Sequence, residues 1–253
     1  MGISRSSLYG ESIFTSFRSI DGKVPFLDLH LKRLFEGVND YYFSRRLTQE
    51  NFYNFYLPKG LNLDKKSNEY FRMTFESETS PLTSAGIGLA QGNLRVEKRE
   101  LPKIAPSISL KSSPSPFTRA AWQTKSGSYF ESFLAKKHAI QNGFEEALFY
   151  DERKFITEAT TSRIVFVHQD EFYTPRLTQY FESTGVKIFE KFLADSGKKL
   201  KREDIQLGRL KNFESAYLVN SVRLLTPIDR IDSFNLKIDE KLRKSFYDKL
   251  GCL

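Results

Sequence analysis

The chain has 253 residues, 40% of them hydrophobic and 14% aromatic, which suits one large or two modest domains with a substantial core and excludes global disorder. Its formal charge is +8, but the basic residues are dispersed and no nucleic-acid-binding signature accompanies them, so nucleic acid is not an expected partner and the charge, permissive for anionic ligands, decides nothing alone. One cysteine, Cys252, and three scattered histidines exclude a disulfide framework and a Cys- or His-based metal site; with no long apolar run and no hydrophobic leader, the expected setting is the cytoplasm, with no membrane as partner.

In chain order, SIFTSFRS (12–19) alternates apolar and polar residues as a half-buried strand does, Asp21-Gly22 is a hairpin signal, and VPFL (24–27) resumes an apolar run. LDLHLKRLFEGVNDYY (27–42) reads as a helix, with Leu27, Leu31, Leu34 and Val38 on one stripe. Tyr70–Phe75 and Ile87–Ala90 read as strands. From Leu101 to Phe117, Pro102, Pro106, Pro114 and Pro116 with interleaved serines suggest an inter-domain connection. Ser128 and Glu131 fit a capping box for a helix in which Phe130, Phe133, Leu134, Lys137 and Ile140 share helical spacing and Gly143 is the stop. Two hairpins follow, ALFYDERKFITE (147–158) and IVFVHQDEFYTP (164–175). A helix near Val186–Asp195, a solvated basic turn at Lys198–Arg202, a strand AYLVNS (216–221) and an amphipathic helix around Asp239–Leu250 complete the pattern. The expectation is an α+β chain with a small domain over residues 1–110 and a larger one over 111–253.

Four features carry chemistry. Lys125 lies in a loop of small residues just ahead of a helix, where an amine can act as a nucleophile; a solvated lysine is the bland alternative. Glu158 ends a strand beside the small residues ATTS. Ser183-Thr184-Gly185 opens a helix whose first turn holds Val186 and Lys187, and unpaired amides at a helix start can hold a phosphate. Arg33 shares a helix face with His30. A lysine for a Schiff base, a carboxylate to keep a ring nitrogen protonated, an anion cradle and an arginine are the parts that pyridoxal phosphate chemistry needs.

At these residues the chain resembles the class IV aminotransferase family, the fold-type IV pyridoxal-phosphate enzymes. The resemblance runs in order through GESIFTSFR (10–18), HLKRL (30–34), KSGSY (125–129), TEATTSR (157–163), Thr174-Pro175, TGVKI (184–188) and Asn220-Ser221. It implies the two-domain fold of that family, like D-amino acid aminotransferase, with pyridoxal 5'-phosphate between a small N-terminal and a larger C-terminal domain. Lys125 would be the Schiff-base lysine and Glu158 the partner of the ring nitrogen. Arg33, the amides of Val186 and Lys187, and Ser221 would hold the phosphate, and Tyr129 would contact the ring oxygen. Departures are Arg163 for the usual Asn, Ser128 for the Asn after the lysine, Ile188 for an Arg, Thr15 where Glu is common, and a shortened first strand pair.

Within the family the resemblance favours 4-amino-4-deoxychorismate lyase, which releases pyruvate and 4-aminobenzoate for folate biosynthesis. The alternative is an aminotransferase for branched-chain or D-amino acids. The KSGSY spacing and the FTSFRSIDGKV run (14–24) point to the lyase, whose small anionic amine substrate would find carboxylate partners among Arg18, Arg72, Arg119, Arg163 and Arg223. A non-catalytic scaffold is the competing class, against which Lys125, Glu158 and Arg33 stand together. The resemblance also implies a homodimer, and the aromatic residues Phe14, Phe17, Phe26, Tyr41 and Tyr42 offer apolar surface for one.

Overall fold

The computed structural model describes residues 5–42, 48–56, 68–77, 92–115, 124–176 and 182–251. The chain divides into two compact units, one made of Met1–Pro102 with Ala120–Tyr129 and the other of Lys103–Arg119 with Phe130–Leu253.

Unit 1 opens with a short helix α1 (Arg5–Tyr9), then β1 (Ser12–Arg18), α2 (Leu27–Tyr42), α3 (Gln49–Tyr56), β2 (Glu69–Ser77) and β3 (Gly92–Glu100). The described strands form an antiparallel sheet in the order β1-β2-β3. The alternation in β1 sends Ile13, Thr15 and Phe17 to one face. Paired with Phe75, Met73 and Phe71 of β2, they meet the Leu34 and Val38 stripe of α2. Phe17, Phe52, Phe71 and Phe75 are fully buried there, each worth about 1.5–3 kcal/mol relative to exposure. The Asp21-Gly22 turn forms, with φ of 45° and 71°. VPFL, however, does not pair as a strand: a single bridge joins Ile20 to Lys23 before the chain turns into α2. The partner of β1 is β2, some fifty residues on (Ser19 N–H itself donates to Glu69 O). The expected strand at Ile87–Ala90 lies outside the described residues.

Unit 2 contains β4 (Ile108–Pro114), α4 (Phe130–Gln141), β5 (Glu146–Tyr150), β6 (Ile156–Ala159), β7 (Arg163–His168), β8 (Glu171–Pro175), α5 (Thr184–Asp195), β9 (Leu200–Glu203), a 3-10 turn (Leu207–Asn212), β10 (Ser215–Asn220), β11 (Leu224–Ile231), β12 (Phe234–Asn235) and α6 (Glu240–Leu250). Its described strands run β6-β5-β4-β11-β10-β7-β8-β9, with β12 against β11. The sheet curls: Ile156 at the first edge donates to Ile205 O at 2.7 Å, just past the last strand. Both expected hairpins form, and the Gln169-Asp170 turn takes φ of 49° and 61° as a tight hairpin demands. Ser183 caps α5 and Asp239 caps α6 through their side chains.

Four further expectations are corrected. The proline-rich stretch 101–117 is not only a connection, because Ile108–Pro114 is β4, parallel to both β5 and β11, with Ile108 and Leu110 in the core. The basic turn at 198–202 contains edge strand β9, parallel to β8. On α4 the apolar stripe faces outward, with Phe130 68%, Phe133 61% and Ile140 57% exposed, while Ser132 and Ala139 are buried. The Ser128 hydroxyl reaches the carbonyls of Tyr9 and Gly10 at 3.4 Å instead of closing a capping box with Glu131.

Candidate active site

The candidate residues fall in both units, and each group has its own geometry. In unit 1 the segment around Lys125 is stitched to β1. Phe14 N–H donates to Lys125 O at 2.9 Å, and Gly127 N–H donates to Ser12 O at 2.8 Å. A side chain at Gly127 would meet Ser12 Oγ at 2.2 Å and Gly10 O at 3.2 Å, so a larger residue here would have to displace the Ser12 hydroxyl. The result fixes the backbone of a half-buried lysine whose Nζ donates to the Tyr129 phenol at 2.8 Å. The same amine lies 4.7 Å from the centre of the Phe14 ring and 5.0 Å from that of Tyr129.

Phe14 belongs to the face of β1 opposite α2, with Ser12, Ser16 and Arg18, and across from these stand Tyr70, Arg72 and Thr74. The Arg72 guanidinium stacks 3.7 Å from the Phe14 ring centre and donates through Nε to Thr74 Oγ1 at 3.1 Å. Arg18 is buried, and its Nε and Nη1 have no hydrogen-bond partner among the described residues. A buried guanidinium in that state calls for an anion.

The other face of β1 holds a polar hub. Arg33 Nη2 donates to Thr15 Oγ1 at 2.7 Å, and that oxygen is 2.9 Å from His30 Nδ1. Because Thr15 accepts from Arg33, its own proton is available to a neutral His30. Burial holds the His30 imidazole well below its usual range, and the charges of Arg33 and Lys125 push it the same way. Thr15 is thus the residue that joins the His30–Arg33 helix face to the strand.

In unit 2, Glu158 is the penultimate residue of β6 and Arg163 begins β7 across a turn closed by Ala159 N–H to Ser162 O at 2.9 Å. Glu158 Oε2 and Arg163 Nη1 are 3.0 Å apart, with both side chains about nine-tenths buried. Behind the turn, fully buried Glu146 accepts from the Thr160 hydroxyl and from Ala147 N–H at 3.0 Å, and pairs with Lys136 at 3.2 Å. Asn220 ties this turn to the next: its Nδ2 donates to Ser162 Oγ at 2.8 Å, while its Oδ1 accepts from Val222 N–H at 2.9 Å and Arg223 N–H at 2.7 Å. The start of α5 presses on the same place, since a Cβ at Gly185 would meet Asn220 backbone atoms at 2.8 Å and Ser221 N at 3.1 Å. Ser183 Oγ accepts from Val186 N–H at 3.4 Å, and Ser183 O from Lys187 N–H at 3.1 Å; the Lys187 amine pairs with Glu182 at 2.6 Å. The Glu158 turn, the Asn220-Ser221 turn and the α5 start therefore form one connected locus. Arg119 lies outside the described residues.

These groups fit pyridoxal phosphate. Glu158 makes no ion pair or hydrogen bond beyond the one with Arg163 among the described residues, leaving an oxygen for a ring nitrogen. A helix start with a long, weak cap at Val186 suits a phosphate, and Lys125 is a held but reachable amine.

Residues 12–231 match the family model of amino-transferase class IV, so the chain belongs to that family, whose cofactor is pyridoxal 5'-phosphate. Among curated relatives, the "Probable branched-chain-amino-acid aminotransferase" of Rickettsia felis is 29% identical over 46% of this chain and 40% of its own length, so the chain matches only about two fifths of that relative. The "Aminodeoxychorismate lyase" of Bacillus subtilis is 24% identical over 90% of this chain and 80% of that one. Among solved structures, a "Putative 4-amino-4-deoxychorismate lyase" from Legionella pneumophila superposes with a TM-score of 0.84 at 18% identity, covering 99% of this chain and 94% of that one. A branched-chain aminotransferase from Thermoproteus uzoniensis with norvaline does so at 0.84 and 19%, covering 98% and 88%. At such identities these structures establish the shared fold alone.

Proposed function

We propose that the chain is a pyridoxal-phosphate enzyme acting as a 4-amino-4-deoxychorismate lyase that releases pyruvate and 4-aminobenzoate. The observation that carries the reading is in unit 1. The Lys125 amine lies against Phe14, on the strand face that also bears Arg72 and the buried Arg18 with its two unpartnered nitrogens. An amine nucleophile and two guanidinium groups on one strand face suit a small amine substrate that carries carboxylates. In this reading Lys125 attaches the cofactor, Glu158 accepts from its ring nitrogen, and Tyr129 contacts the ring oxygen. Arg33, Val186, Lys187 and Ser221 hold its phosphate. Bound pyridoxal phosphate supplies the electron sink. Lys125, once freed by the substrate amine, takes the proton from the substrate ring carbon at Nζ, and the Tyr129 phenol steadies that amine. Arg18 and Arg72 orient the carboxylates.

The reading keeps two contributors, with the unit of Met1–Pro102 and Ala120–Tyr129 and the unit of Lys103–Arg119 and Phe130–Leu253 replacing the expected division at 110/111, and a cytoplasmic homodimer as the working form. Phe14 and Phe17 are buried within the single chain, so they supply no surface for a dimer. The exposed Phe130, Phe133, Leu134 and Ile140 on α4 are the better support for a second copy. Incubation with aminodeoxychorismate and no keto-acid acceptor should yield pyruvate and 4-aminobenzoate in equal amounts. Conversion to pyridoxamine phosphate by a simple amino acid, with an acceptor needed for recovery, would instead make the chain an aminotransferase, the activity named for the Rickettsia felis relative.

A further inference from the structure

Arg163 stands where the resemblance leads one to expect an asparagine, and its surroundings explain what the change does. It is the first residue of β7, paired with Val219 of β10, and the turn that joins it to Glu158 is closed by a backbone hydrogen bond. The sheet and the turn hold the backbone at both ends of the Arg163–Glu158 pair. With side chains only 8% and 10% exposed, the guanidinium and the carboxylate at 3.0 Å compensate each other's loss of water. Glu158 has no other partner among the described residues. Arg163 is therefore a buried cation facing Glu158 and not a surface one.

We propose that Arg163 is a positioning residue that acts through Glu158, aiming the carboxylate while weakening its grip on the cofactor's ring nitrogen. This rests on Glu158 being the partner of that nitrogen. A carboxylate alone in a buried site demands a donor, and a ring N–H would be its sole source of compensation. A carboxylate already facing a guanidinium shares its charge between two cations and holds each less tightly. The ring nitrogen of this chain is thus bound less strongly than in a site where a neutral side chain replaces Arg163.

The test compares two ligands that differ only at that atom: pyridoxal phosphate and the analogue in which C–H replaces the ring nitrogen. Attachment to Lys125 and phosphate binding are common to both, so they cancel in the ratio of the two affinities. The ratio is measured by equilibrium titration of the full chain as wild type, Arg163→Gln, Arg163→Lys and Glu158→Gln, with circular dichroism to check folding. Removing the guanidinium in Arg163→Gln should raise the preference for pyridoxal phosphate about tenfold, because the analogue would then strand a buried carboxylate. Arg163→Lys, whose shorter side chain sets the charge farther from Glu158, should raise it about threefold; it carries the test alone if the Gln variant does not fold. A ratio equal to wild type in whichever variant folds, with Glu158→Gln lowering it, overturns the role of Arg163 and leaves Glu158 as the nitrogen's partner. A ratio unaffected by Glu158→Gln overturns the assignment of Glu158 and this proposal with it. A purely structural arginine would alter both affinities together and leave the ratio alone.

Discussion

The backbone of Gly185 lies so close to Asn220 that a methyl group there would meet Asn220 Cα and C at 2.8 Å. This contact seats the start of α5 on the turn that also anchors the Glu158 strand end through Asn220 and Ser162. Helix propensity alone would favour alanine at this position by about 1 kcal/mol. The clash is with main-chain atoms that cannot swing aside, so it decides the sign. Gly185→Ala should destabilise the protein by about 1–3 kcal/mol in urea unfolding. It should also weaken phosphate binding more than it weakens binding of pyridoxal, the cofactor form without a phosphate. Equal weakening of both would place the phosphate elsewhere.

Glu146 supports the same turn from behind, accepting from Thr160 and pairing with Lys136. Glu146→Ala leaves the Thr160 hydroxyl and the Lys136 amine without their acceptor. The expected loss is about 2–4 kcal/mol of folding stability, read from the urea midpoint at unchanged m-value. A loss below half a kilocalorie would mean that water replaces the carboxylate.

His30 makes stability depend on pH. Burial, with help from Arg33 and Lys125, places its folded pKa well below the ordinary 6.5. Below pH 6.5 the unfolded chain therefore binds a proton that the folded chain refuses. The stability due to neutral His30 is fully present above pH 6.5 and is lost as pH falls toward the folded value, at a slope approaching about 1.4 kcal/mol per pH unit. His30→Gln should remove that slope. Parallel stability curves for the two proteins between pH 7 and 5 would show that the imidazole does not titrate on unfolding.

Much of this architecture was legible in the sequence where local pattern and burial agree. The Leu34–Val38 stripe, the hairpin over 164–175 and the helix opened by Ser183-Thr184-Gly185 follow from local pattern, and each forms. The misses share a cause, since tertiary pairing overrode local signals. β11 holds Pro227 in the middle of the sheet, opposite Tyr217, and such a residue argues against a central strand when read alone. β4 is hidden among prolines and serines, and β9 is a basic run whose exposed side chains give no apolar signal. α4 shows the converse: its apolar spacing is real, but the stripe turns away from the core. At the site, Lys125, Glu158 and the α5 start could be named from motif order. Thr15, Phe14 and Glu146 could not, because each acts only through neighbours distant in sequence.

The central claim is that Lys125 is the amine that carries pyridoxal phosphate, and its held position against Tyr129 and Phe14 is the basis for it. Reconstituted protein treated with borohydride and digested should yield the reduced phosphopyridoxyl group on the peptide containing Lys125, and Lys125→Ala should yield none. A stable reduced adduct on another lysine, or one that persists undiminished in Lys125→Ala, would contradict the account.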